Sequence, residues 1–424
     1  MLQYQPLHDK IQKKKGLESM GSMSDFHTIF TFIRNLYDSP QGFIPLHEPR
    51  FMGNEKKYLL ECIDSGFVSS VGAFVDSFEK EIAKFCGSKY AIAATNGTSA
   101  LHAALHALNV NAECEVITQP LSFIATSNAI AYTGAAPVYV DVDLDTMGLS
   151  PHSLKAFLES YAIKKRGVTY NKQSGKILKA CVPMHTFGHP VRIQEIKAIC
   201  DEWGVLLVED AAESLGSYVY NADSQKSKDS QIHTGTFGIC GILSFNGNKT
   251  ITCGGGGAIL TQDEALAKKL KHLTTTAKIP HPYEYEHDTL GFNYRLPNIN
   301  AALALAQIEQ LPAFLRDKQD IAKEYEAFFA TQSHCSFIGA RGGTQPNFWL
   351  NALLLDSKSL RDEFLEQSNA QGIMTRPIWK LNNELSMYRH CQSDELKNAR
   401  FLRDRIVNIP SSARIHNLKS LANG

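Results

Sequence analysis

The chain has 424 residues, 43% of them hydrophobic and 20% charged, with 43 basic side chains set against 43 acidic ones. That profile belongs to an ordinary soluble globular protein of two or three domains, and its balanced charge excludes any general attraction to nucleic acid or to an anionic membrane surface. Nine cysteines without a C-x-x-C pair fit reduced thiols in the cytoplasm rather than a disulfide framework or metal site, and no apolar run reaches the length of a membrane span or signal peptide.

Met1 to Gly21 carries the basic cluster Lys10-Ile-Gln-Lys-Lys-Lys15 and little apolar periodicity. It reads as a solvated leader, or as a start placed too early, with Met20 or Met23 the true one; four lysines make a thin case for a nucleic-acid arm. From Ser24 onward, Phe26, Ile29, Phe30, Phe32, Ile33 and Leu36 recur at helical spacing behind a Ser/Asp start signal. Helices are then expected over 54–65 and 73–86, separated by a Gly/Ser loop from Gly66 to Gly72. A short strand over 90–95 runs into Asn96-Gly-Thr-Ser-Ala and an Ala/Leu-rich helix to Leu108. Strand, small-residue turn and helix together offer free N–H groups and a positive dipole end to an anion. A plain N-cap by Thr98 or Ser99 explains the same residues, and both readings can hold at once.

The alternation continues with strands over 115–118, 136–142, 180–185 and 205–210 and helices over 123–132, 151–161 and 193–203. Continuously apolar strands alternating with helices predict an α/β domain whose mostly parallel sheet is covered on both faces. Ligands of such sheets bind beyond the carboxyl ends of the strands. Asp210, His185 and the turn from Asn96 to Ser99 all stand at such ends, so they are expected to converge on one site. Tyr218 to Thr234 is polar and reads as a surface excursion.

The stretch that follows carries the chemistry. In Ser244-Phe-Asn-Gly-Asn-Lys249-Thr-Ile-Thr-Cys-Gly254-Gly-Gly-Gly257 a lysine is flanked by apolar runs, Ile242, Leu243 and Phe245 before it and Ala258 to Leu260 after. Such a lysine sits in a turn between buried segments. Enclosure disfavours a charged amine, and a neutral amine can attack a carbonyl to form a Schiff base. The glycines permit close backbone approach to a ligand. On these residues alone, a flexible hairpin with an incidental lysine explains the stretch as well. Further on, a helix is expected over 264–273, a rigid loop over 279–283, and separate helices over 299–311 and 318–329. A strand over 348–355, a helix over 360–371 and helical stretches around Tyr388 and Phe401 complete a smaller α/β domain. The expected division is a leader and lead-in helix over 1–45, a large domain over 46–310 and a small one over 311–424.

A Schiff-base lysine, an acid at a strand end and a phosphate cradle together suggest pyridoxal phosphate, whose ring nitrogen an aspartate keeps protonated. Four motifs now carry a resemblance: Asn96-Gly-Thr-Ser-Ala, Glu209-Asp-Ala-Ala-Glu213, the lysine stretch, and Gly291-Phe-Asn-Tyr-Arg295. In that order they resemble the DegT/DnrJ/StrS sugar aminotransferases, fold-type-I pyridoxal-phosphate enzymes, from about Phe43 to Ser412. The resemblance implies that Lys249 forms the aldimine with the cofactor and shuttles a proton, and that Asp210 pairs with the pyridinium nitrogen. It implies that Phe123 stacks on the ring, that Gly97, Thr98, Ser99 and Ser244 hold the phosphate, and that Asn293 reaches the phosphate of a partner subunit, making composite sites in a homodimer. Glu213 stands where most relatives have Gln, beside the ring hydroxyl, and four glycines replace the more usual Gly-Glu-Gly-Gly.

Both departures, with Phe43-Ile-Pro-Leu-His-Glu-Pro, Met184-His-Thr-Phe-Gly-His-Pro190 and Met374-Thr-Arg-Pro-Ile-Trp379, look like the LegC-like subgroup. That likeness implies L-glutamate as donor and a UDP-linked 4-keto-6-deoxy-N-acetylhexosamine as acceptor, on the way to surface sugars. His185, Arg376 and Phe67 become candidate substrate contacts, although a histidine at a strand end also serves as a structural hydrogen-bonder. A free keto- or aldehydo-sugar acid is the alternative acceptor. A sugar dehydratase would need histidine in place of Lys249, and a non-catalytic regulator would not need Lys249 and Asp210 intact.

Overall fold

The computed structural model describes residues 26–220 and 231–414. The leader, the Ser24 start signal and the middle of the polar excursion lie outside the described residues. Seven strands make the spine: β1 Tyr90–Ala94, β2 Cys114–Thr118, β3 Ala136–Tyr139, β4 Ile177–Val182, β5 Leu206–Asp210, β6 Cys240–Ser244 and β7 Gly257–Thr261. Their order is β1-β7-β6-β5-β4-β2-β3. Neighbours from β3 to β6 are parallel, while β7 runs antiparallel to both β6 and β1. The single reversal has a local cause: β6 and β7 are joined directly by the lysine turn, and a connection without a crossover helix can only link antiparallel neighbours.

Both faces of the sheet are covered, as the continuous apolar strands require. On one face Leu101, Leu105 and Ile130 pack with Val116, Val182 and Val208. On the other, Leu154, Leu158 and Ile196 pack with Ile117, Val138 and Leu207. The carboxyl ends of β1, β4, β5 and β6 therefore open on one edge. A hairpin of Ala162–Lys165 and Val168–Asn171 adds to β4 through Tyr170 and Ile177. Strands Tyr218–Tyr220 and Gln231–His233 pair at the two ends of the polar excursion.

The C-terminal layer is a four-stranded antiparallel sheet of Cys335–Phe337, Asn351–Leu355, Ile406–Ile409 and Arg376–Pro377. The lead-in helix His27–Leu36 belongs to this layer, since Ile29, Phe30 and Ile33 join one core with Leu353, Phe364 and Val407. One expectation fails outright. The two helices expected over 299–311 and 318–329 are a single helix, Asn298–Phe329, with Pro312 inside it. Proline removes one helical hydrogen bond, but the flanking turns bury Ile308, Leu311, Phe314, Asp317, Lys318 and Ile321, and that packing outweighs the lost bond. The expected boundary at 310/311 falls within this helix.

Candidate active site

The lysine turn is closed by its own backbone. Phe245 N–H donates to the Gly256 carbonyl (2.8 Å), Cys253 N–H to the Phe245 carbonyl (3.1 Å) and Lys249 N–H to the Asn246 carbonyl (3.0 Å). The glycines serve close approach. A Cβ on Gly257 would lie 2.5 Å from the Asn96 carbonyl carbon, so only glycine lets β7 pass the turn that follows β1. A Cβ on Gly97 would lie 3.0 Å from Ser244 Cβ. The start of helix Gly97–Ala107 and the end of β6 thus meet, as an anion cradle needs. The cap of that helix is Asn96, whose Oδ1 accepts from Ser99 N–H (2.8 Å). Thr98 and Ser99 are not the cap; they stand half-buried in the first turn, at the positive end of the dipole.

Asp210 ends β5. Its Oδ2 accepts from Thr126 Oγ1 (2.7 Å) and its Oδ1 from Ala212 N–H (3.2 Å), which fixes the carboxylate at the strand end. Phe123, just ahead of the helix that carries Thr126, keeps its ring 53% exposed. Glu213 is buried, with Oε1 3.2 Å from Lys249 Nζ and Oε2 accepting from Phe187 N–H (2.9 Å). Burial pushes the Glu213 carboxyl up to about 7, against the opposing pull of Lys249.

Two residues that sequence reading missed complete the surroundings of the lysine. The Lys249 amine lies 3.9 Å from the centre of the Trp349 ring. Trp349 Nε1 donates to the Asn248 carbonyl (2.6 Å), and Trp349 N–H donates to Asn347 Oδ1 (2.8 Å). Asn347 Nδ2 in turn donates to the carbonyls of Glu213 and Leu215, each at 2.9 Å. About a hundred residues of chain separate this segment from Lys249, and no local pattern announces the contact.

The remaining expected residues bond elsewhere through their side chains or loops, although His185 N–H donates to the Asp210 carbonyl (3.1 Å). His185 is fully buried; its Nδ1 accepts from Val191 N–H (3.3 Å), so Nε2 carries the proton and donates to Glu209 Oε2 (3.0 Å). Both ring nitrogens are used inside the protein, which corrects the substrate-contact reading: His185 is the structural hydrogen-bonder. Arg376 is exposed and donates to Asn369 Oδ1 (3.0 Å) and the Thr375 carbonyl (2.8 Å), both within the C-terminal layer. Phe67 is 58% exposed, in a loop tied to the long helix by Asn298, whose Nδ2 donates to the Phe67 carbonyl (2.6 Å). Asn293 is exposed too, its Oδ1 accepting from Arg295 Nε (3.2 Å).

The residues present fit pyridoxal phosphate. The glycine-lined meeting of Ser244 with a helix start suits a phosphate, a fixed carboxylate suits a ring nitrogen, and the half-buried amine suits the aldehyde carbon. Among known proteins, the chain is 36% identical over 337 residues to the putative pyridoxal phosphate-dependent aminotransferase EpsN of Bacillus subtilis (strain 168), across 80% of this chain and 81% of that one. It is 34% identical over 378 residues to the GDP-perosamine synthase of Caulobacter vibrioides, across 87% and 93% of the two chains. Its fold matches Helicobacter pylori PseC, an aminotransferase involved in the biosynthesis of pseudoaminic acid, with a TM-score of 0.77 at 23% identity, covering 90% of this chain and 97% of that one. The model of the DegT/DnrJ/EryC1/StrS aminotransferase family matches residues 50–419. A match of that extent takes in the large domain and the C-terminal layer alike, and the chain therefore belongs to the DegT/DnrJ/EryC1/StrS family, as a pyridoxal-phosphate-dependent aminotransferase of fold type I.

Proposed function

We propose that this aminotransferase moves an amino group from L-glutamate to the keto carbon of a sugar, the acceptor being a UDP-linked 4-keto-6-deoxy-N-acetylhexosamine, and that it works in the cytoplasm as a homodimer. The observation that carries the transaminase reading is the Lys249 amine, turned toward Glu213 beside the fixed carboxylate of Asp210 and the cradle at Gly97 and Ser244. The Caulobacter relative, a GDP-perosamine synthase by name, supports a nucleotide-linked sugar. The subgroup motifs favour UDP and the N-acetyl group.

Pyridoxal phosphate, when bound, supplies the electron sink that lets the substrate release a proton from carbon. The chain's own residues do the rest. Lys249 would link the cofactor and carry that proton, and Asp210 would hold a proton on the ring nitrogen. Gly97, Thr98, Ser99 and Ser244 would receive the phosphate, Phe123 would cover the ring, and Glu213 would face the ring hydroxyl. Phe67, Val68 and Val71 are exposed apolar residues of one loop, a surface suited to cover by a second copy. In such a dimer Asn293 would serve the partner's phosphate, and Phe67 and Arg376 would stand at the mouth through which the sugar enters. Among the described residues no helix is long and apolar enough to cross a membrane.

The test is an acceptor panel at saturating glutamate: UDP-linked and GDP-linked keto sugars, the free keto sugar, and a keto- or aldehydo-sugar acid. Because binding energy from the nucleotide is used to orient the keto carbon, its removal should lower turnover as well as raise the Michaelis constant. Preference for the free sugar acid would overturn the nucleotide-sugar reading, and preference for the GDP-linked sugar would overturn UDP alone.

A further inference from the structure

The amine of Lys249 touches two groups. Glu213 Oε1 lies 3.2 Å away and the centre of the Trp349 ring 3.9 Å away. A carboxylate attracts an ammonium by charge, and an indole face attracts it through its quadrupole. Trp349 has no part in receiving the phosphate or the pyridine ring, Glu213 would face the ring only at its hydroxyl, and both side chains are held firmly. The second oxygen of Glu213 accepts from Phe187 N–H. Trp349 is fixed at three points: on Asn347 Oδ1, on the Asn248 carbonyl, and at its own carbonyl, which accepts from Lys318 Nζ (3.2 Å).

A transaminase runs two half-reactions, and in each the lysine is released from its covalent link and carries a proton. We propose that Glu213 and Trp349 form a docking niche for the amine of Lys249, holding it as an ammonium while it is neither covalently linked nor acting as the base. The inference rests on Lys249 as the cofactor-linking residue. Returning the amine to service moves one proton: Lys–NH3+ and Glu–COO− become Lys–NH2 and Glu–COOH, with no change of net charge. Burial of Glu213, which already favours its protonated form, makes that transfer less costly. The other charged or titratable groups that bear on the pair are Asp210, on the same turn as Glu213, and His47 and Lys318 at Trp349, with Arg50 acting on both of these. The variants below leave all four in place.

The experiment uses full-length enzyme loaded with pyridoxamine phosphate, which fills the cofactor site without linking the lysine. Acylation of Lys249 by limiting acetic anhydride is followed by mass spectrometry across neutral and alkaline pH. In Glu213→Gln the lost counter-charge should lower the pH midpoint of labelling and speed it about tenfold at neutral pH. Trp349→Leu should shift it the same way, by about threefold. Glu213→Asp, which keeps the charge, should move the midpoint less than Glu213→Gln does. Labelling within twofold of wild type in either Glu213→Gln or Trp349→Leu, or an upward shift of the midpoint, would overturn the niche. Borohydride reduction of the pyridoxal-phosphate form separates the two claims: failure to trap the cofactor on wild-type Lys249 would overturn the aminotransferase assignment of that residue instead.

Discussion

Lys318 offers a sharp test of how the long helix is buried. Its side chain is 1% exposed, and its amine donates to the carbonyls of Trp349 (3.2 Å) and Ser411 (2.6 Å). Burial pulls the amine from 10.5 down to about 7, with Asp317 opposing the shift. Between those two values the unfolded chain binds a proton that the folded chain does not. Stability from this group is therefore lost as pH falls toward 7 and recovered as pH rises toward 10.5. Applying linkage to those two values, wild type should gain about 3 kcal/mol between pH about 7 and 9.5. Lys318→Met keeps the stem but removes the titration, so the gain should vanish in the variant. Urea unfolding of both proteins at the two pH values reads the difference, and contributions from every other group cancel in it. A wild-type-minus-variant difference that changes by less than about 0.5 kcal/mol, or that moves the other way, would show that Lys318 stays charged throughout.

Three further outcomes are expected. Asp210→Asn should lower turnover by about a hundredfold or more while leaving Thr126 a partner to bond, because the role proposed for the carboxylate is on the ring nitrogen and not on the fold; steady-state assay with glutamate checks this. Gly257→Ala would place a methyl 2.5 Å from the Asn96 carbonyl carbon, so the Asn96–Gly97 turn must move. Cofactor affinity should fall by about tenfold or more with far-UV circular dichroism unchanged, as read by equilibrium dialysis against pyridoxal phosphate. If the proposed homodimer forms with Asn293 serving the partner's site, mixing inactive Lys249→Ala and Asn293→Ala proteins under proven subunit exchange should restore up to about half of the activity per mixed dimer, since a two-fold dimer has two equivalent sites and only one would carry both lesions.

The sheet was legible because its strands are buried on both faces: β2 and β7 bury every residue, and such runs between helices leave few alternatives. The lysine hairpin was legible because glycines punctuate it. What escaped notice has physical reasons. Strand Ala162–Lys165 is exposed at Ile163, Lys164 and Lys165, so it lacks the apolar pattern by which strands are recognised. Pro312 signals a break, but the signal is local and the packing that overrides it is not. His185 shows the limit of strand-end reasoning, because position brings a residue to the right edge but does not tell that both its ring nitrogens are used within the protein. Trp349 and Asn347 reach Lys249 through tertiary structure alone.

The helix Asn298–Phe329 also bears on how the gene can be handled. Its first half shares a core with Val75, Phe78 and Ile82 of the large domain, and its second half shares another with Phe30, Ile33 and Leu353 of the C-terminal layer. Arg414, near the end of the described chain, closes back on it through Asp317 and Glu324. Splitting the coding sequence at 310/311 would leave each fragment with a helical stump whose apolar stripe faces water, and such fragments are expected to aggregate rather than fold. The two layers are modular to the eye but not to the cloner, and fusions, insertions or chimaeras with relatives need their seams elsewhere, in exposed loops such as the one around Gly342.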